Sequence, residues 1–138
     1  MSIVGWTITY VAALAAFLVV DLVWLGVVAK PLYREHMGML LRDDPRWGVA
    51  LVFYTLYVAA MLFFAVGPVL RGAEGGSLWR AMAMGAGFGL VTYATYDLTS
   101  LSVIRGFGTA IAIIDIAWGT VLGAIVASVA YSVASRLQ

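Results

Sequence analysis

The chain reads as an all-α protein, a four-helix transmembrane bundle. Its composition, four long apolar runs and the turn residues between them all lead there. Of 138 residues, 64% are hydrophobic and 11% charged, and the mean hydropathy is +1.01. An ordinary soluble domain is nearer half apolar and a quarter charged. Disorder, collagen and coiled coil are excluded too, since none accommodates so much apolar surface. A net charge of +1 gives no electrostatic footing for nucleic acid. Cysteine is absent and His36 is the one histidine, which excludes disulfide scaffolds, thiolate zinc sites, iron–sulfur clusters and Cys or His nucleophile systems.

A hydrocarbon core about 30 Å thick asks roughly 20 apolar residues of a spanning helix. The runs that meet it are approximately 3–28, 47–70, 78–104 and 109–133, taken together as a single integral membrane domain over 1–138. They are too long and too uniformly apolar for the strands of a β-barrel. The first run is read as a retained helix rather than a signal peptide: no Lys or Arg precedes it, it is long, and it carries Asp21.

Between the runs lie helix-ending signals. Asp44-Pro45 predicts a cap and first turn for span two, and Glu74-Gly75-Gly76-Ser77 a turn ending in an N-cap for span three. Arg105-Gly106-Phe107-Gly108-Thr109 predicts a tight hairpin with a further cap. In the longer connection from Ala29 to Arg46, Tyr33, Met37, Leu40 and Leu41 share one helical face. That predicts a short helix lying in the interface, the alternative being an irregular polar loop. Pro68 is expected to terminate span two. Lys30, Arg34, Arg42, Arg46 and Arg105 fall on one side of the membrane, and Arg71, Arg80 and Arg136 on the other. The positive-inside rule then favours both termini outside the cytoplasm.

Asp21, Asp97 and Asp115 are the acids within the spans, with no Lys, Arg or His at their depth to match them. At 1.5 Å per residue and with alternating helix direction, all three come to about 10 Å below the same interface, and Tyr54 joins them from span two. An Asp at mid-span costs roughly 2.5–3.5 kcal/mol on insertion scales, so three facing lipid would cost several. The three are expected to face one another inside the bundle. Three ionised carboxylates in one desolvated pocket repel, so at least one keeps its proton or a cation sits among them.

The surroundings supply donors. Tyr93, Asp97 and Ser100 share one face of span three, and Thr92, Tyr96 and Thr99 an adjoining one. Trp24 and Trp118 each follow an Asp by three residues, which sets an indole one turn from each acid. The candidate ligand- or proton-binding set is therefore Asp21, Asp97, Asp115, Tyr54, Tyr93, Tyr96, Thr99, Trp24 and Trp118. Lys30 and Arg105 stand at its mouth. The plainer reading is interhelical glue, at about 0.6 kcal/mol per bond.

Gly85 and Gly89 on span three and Gly119 and Gly123 on span four form two G-x-x-x-G pairs, which predict close packing of that hairpin. Gly85-Ala86-Gly87-Phe88-Gly89 has the look of a nucleotide loop, but no strand precedes it. Trp6, Trp47 and Trp79 read as interfacial anchors. Asp-Leu-x-x-Leu-x-Val occurs at Asp21 to Val27 and again at Asp97 to Val103, consistent with a two-plus-two tandem repeat in which Asp21 and Asp97 are equivalent.

Several segments carry a resemblance: Asp21-Leu22-Val23-Trp24-Leu25, Phe53-Tyr54 and Phe64-Ala65-Val66-Gly67-Pro68 in the first half. In the second half they are Tyr93-Ala94-Thr95-Tyr96-Asp97-Leu98-Thr99 and Asp115-Ile116-Ala117-Trp118-Gly119-Thr120. On these the chain resembles an uncharacterised bacterial integral membrane family, catalogued as domain of unknown function 2177. Ser100 stands where the family pattern has Asn. The resemblance implies a multi-pass protein of the bacterial inner membrane and carries no activity with it.

Three functions compete. The first is binding or transport of a small solute, proton or cation at the acidic layer, with a homodimer expected because four helices are few for a pathway. The second is a membrane-embedded enzyme in which Asp and Tyr oxygens hold a divalent cation and activate a lipid or phosphate substrate. The third is an accessory subunit binding a lipid or hydrophobic ligand. No catalytic residue and no cofactor is assigned, a divalent cation being the one candidate.

Overall fold

The computed structural model describes residues 1–38, 46–72 and 76–138. The described chain forms four long helical rods. The first is helix α1 (Ile3–Val23), a π-helical turn (Trp24–Ala29) and α2 (Lys30–Met37), in unbroken succession. Helix α3 (Trp47–Met61), a second π turn (Leu62–Val66) and α4 (Gly67–Leu70) make the next. The remaining two are α5 (Leu78–Val103) and α6 (Thr109–Leu137).

Ile3–His36, Trp47–Leu70 and Thr109–Leu137 are long and apolar enough to cross a bilayer. At 26 residues α5 has the length as well, but its second half exchanges apolar side chains for Thr92, Tyr93, Thr95, Tyr96, Asp97, Thr99 and Ser100. Its closest packing is against α6, along most of its length. A Cβ on Gly85 would collide with Ala127 and the Gly123 carbonyl, and one on Gly89 with the Gly119 carbonyl. The two glycine pairs thus let the backbones touch, as their spacing predicts. The fourth rod is central, packing also on α1 and on the second rod.

Large apolar side chains such as Ile3, Val19, Leu56, Phe63, Val91 and Ile113 lie on the outside. In water that would be costly, but in a bilayer it is the lipid-facing surface. The core is built from Phe17, Val58, Met61, Val66, Leu122 and Val126 together with alanines.

Helix ends follow local chemistry where they are described. Ser2 Oγ accepts from Gly5 N at 3.1 Å, and Ser77 Oγ from Arg80 N at 3.1 Å, both N-caps. The hairpin before α6 turns at Gly106 with φ +88°, a conformation glycine adopts without steric penalty. Gly108 caps α6 without a side-chain bond, so the cap expected at Thr109 is not made. The expected Asp44-Pro45 cap lies outside the described residues.

The first connection departs from expectation. Lys30–Met37 is helical, but it continues the first rod instead of lying apart in the interface, and Leu40 and Leu41 lie outside the described residues. Pro31 explains how. Proline has no N–H to donate, and its ring crowds the carbonyl four residues back. Widening the preceding turn relieves that crowding, and a π turn occupies Trp24–Ala29. The second π turn precedes Pro68 in the same way, and helix continues past this proline to Leu70, the expected end of span two.

Candidate functional site

In α1 burial recurs every fourth residue, at Gly5, Thr9, Ala13, Phe17 and Asp21. At the end of the π turn the same spacing of four is kept: Ala29, eight residues after Asp21, is fully buried, and Val28 is 52% exposed. In an unbroken α-helix Tyr33 would point about 120° away from Asp21. One extra residue in the π turn sets it back by about 100°, close to the same face. Tyr33, assigned from the sequence to an interfacial face, therefore enters the bundle.

There its hydroxyl donates to Asp115 Oδ1 at 2.6 Å. Asp115 also lies within hydrogen-bonding reach of Asp97. Asp97 is 1% exposed, and its Oδ2 finds no donor among the described residues. The group facing it is another carboxyl, and two carboxyls bond only through a proton or a cation.

Asp21 has different company. Tyr54 donates to its Oδ2 and the Trp118 indole to its Oδ1, both at 3.3 Å. Trp118 stacks on Trp24, with ring centroids 4.4 Å apart and planes 4° from parallel. The stack ties the first rod to α6 between the two acidic centres. The Trp24 indole N–H lies near the Tyr33 hydroxyl without closing a hydrogen bond to any described residue. Asp21 and Asp115 are near enough to repel. The three acids thus divide into a pair and a separately satisfied third. Among the described residues, no three carboxylate, imidazole or thiolate groups converge to hold a metal ion.

Two cavities open beside the pair. One, of about 220 Å³, is lined by Leu25, Tyr33, Tyr96, Asp97, Phe107, Ile111 and Asp115. The other, of about 450 Å³, is lined by Phe53, Thr92, Tyr93, Tyr96 and Asp115. Asp115 and Tyr96 belong to both. Tyr93 packs on α6 so tightly that a Cβ at Gly119 would run into its ring, which fixes one wall of the larger cavity.

Of the residues singled out from sequence, Asp21, Tyr54, Trp24 and Trp118 gather at one centre, and Asp97, Asp115, Tyr93 and Tyr96 at the other. Thr99 joins neither: it is exposed, and its carbonyl accepts from Ser102. Its place on the span-three face is taken by Ser100, which is buried. Lys30 and Arg105 are exposed. Four residues escaped the sequence reading. Tyr33 depends on a register shift whose signal was Pro31. Phe53, Phe107 and Tyr57 looked like ordinary apolar positions. Tyr57 is 4% exposed within an aromatic cluster with Phe17, Phe53, Phe88 and Tyr93.

No curated protein and no solved structure matches the chain. The family described as "Predicted membrane protein (DUF2177)" matches residues 6–132. That stretch takes in every residue of both centres, and the chain belongs to this family.

Proposed function

We propose that this chain binds a small solute, a proton or a cation at the Asp97–Asp115–Tyr33 pocket and carries it across the membrane. What supports the reading is one observation above all: Asp97 Oδ2 is buried without a donor from any described residue, against a second carboxyl, beside a cavity. Acids that merely glue helices together find donors, as Asp21 does. A carboxyl kept inside a membrane with an unmet bond is costly to the fold, and such groups mark ion and proton pathways. A helical bundle satisfies its backbone internally, which suits the bacterial inner membrane, and a homodimer would widen an otherwise narrow pathway.

Infrared spectroscopy of the protein in lipid tests this. A protonated-carboxyl band that responds to bulk pH is expected, and Asp97→Asn or Asp115→Asn should remove it. A band indifferent to pH, or unchanged in both variants, overturns the proposal.

A further inference from the structure

We infer that the ligand of this pocket is an amphipathic organic monocation, an amine or quaternary ammonium bearing an apolar group, which enters sideways from the bilayer and displaces the proton shared by Asp97 and Asp115. The inference rests on the binding reading above and names its ligand class.

The walls argue for it. Asp115 and Tyr96 look into both cavities, and the larger adds Phe53 and Tyr93 around them. A carboxylate among aromatic faces suits an organic cation, which gains from the ring quadrupoles while its apolar part is buried. A hard metal ion prefers carboxylates, carbonyls and waters, whereas beyond its two carboxyls this pocket's lining offers neutral hydroxyls, those of Tyr33, Tyr93, Tyr96 and Thr92. Volume agrees: 450 Å³ falls in the range of small-molecule sites, roughly 300–1,000 Å³, far beyond what a bare ion occupies.

Access and charge agree as well. Tyr96 is 58% exposed on the lipid-facing surface, so the shared wall of both cavities borders the bilayer, where an amphipathic cation concentrates. The pair carrying one proton has a charge of about −1, and exchanging that proton for a monocation leaves the pocket's charge unchanged. Among the described residues, the polar or charged neighbours of the pair are Asp21 from α1, Tyr33 from α2, and Tyr93 and Tyr96 from α5, with Tyr54 of α3 bonded to Asp21 behind them. None is cationic, so the ligand supplies the positive charge.

The test uses the full chain in lipid nanodiscs with radiolabelled benzyltrimethylammonium as probe and a pH dye in the medium. Saturable binding with release of protons is expected, with affinity falling at least tenfold in Asp115→Asn and recovering in part in Asp115→Glu. Tyr96→Leu should weaken binding several-fold. The neutral carbon isostere neopentylbenzene should not compete. If the infrared band titrates but the probe does not bind saturably, the pocket handles protons alone and the inference fails while the binding reading stands. Equal binding in Asp115→Asn, or competition by neopentylbenzene, reduces it to apolar partitioning and overturns it. A silent infrared band removes both.

Discussion

Asp21 and Asp97 begin the same short sequence pattern on the first and third rods, yet the fold treats them oppositely. Asp21 receives two donors, from Tyr54 and Trp118, and sits beneath a stacked tryptophan pair. Asp97 is more deeply buried and receives no donor from any described residue, only the neighbourhood of Asp115. In each half an acid meets a polar group of the following rod, Tyr54 in the first and Asp115 in the second. A tyrosine completes the bond, and a second acid leaves it open. One position holds helices together, and the other keeps an unmet valence at a cavity.

The contrast can be broken most severely at the platform both centres share. Gly119→Leu drives a side chain into Tyr93, and overpacking at such sites costs about 1–3 kcal/mol or more. Loss of monodisperse protein on size-exclusion chromatography is the expected outcome, and a well-behaved variant would show that the α5–α6 contact is looser than described. Asp21→Ala comes next. It strands the Tyr54 and Trp118 donors and should destabilise by about 1–2 kcal/mol in thermal or detergent unfolding, as for interhelical bonds lost inside a bundle.

Asp97→Asn should act the other way. The amide places an N–H donor opposite Asp115, so stability is expected to hold or rise by about 1 kcal/mol while the pH-dependent infrared band disappears. Destabilisation comparable to that of Asp21→Ala would erase the distinction between the two acids. Tyr33→Phe deletes the 2.6 Å bond that fastens α2 to α6 and should cost about 1 kcal/mol. Trp118→Phe, which keeps a ring for the stack and removes a 3.3 Å bond, should cost about 0.6 kcal/mol. Ranking these five variants in one unfolding assay sharpens the comparison, because the donor-rich and donor-poor acids then fall on opposite sides of the wild type.

Much of the architecture was legible in the residues. Four apolar runs, Ser77 as a cap, Gly106 in the hairpin and the paired glycines each act through neighbours along the chain or through a helix-face spacing. That the three acids come near one another was legible too, because rise per residue is constant. Less legible was Tyr33, since a single π turn ahead of Pro31 rotates everything after it by about one residue. Thr99 and Ser100 show the same limit on a smaller scale: adjacent polar residues differ by about 100° around the helix, and packing alone decides which turns inward.

Composition and hydrophobic run length by themselves determined a membrane helical bundle, because burial in lipid demands apolar side chains and internally satisfied backbone whatever the detailed packing. Which carboxyl receives donors and which is left facing another acid, and whether a cavity opens beside it, only the tertiary structure decided. Those outcomes depend on side chains from different rods arriving within about 3 Å of one another, and residues as far apart in the chain as Tyr33 and Asp115 meet only once the helices have packed.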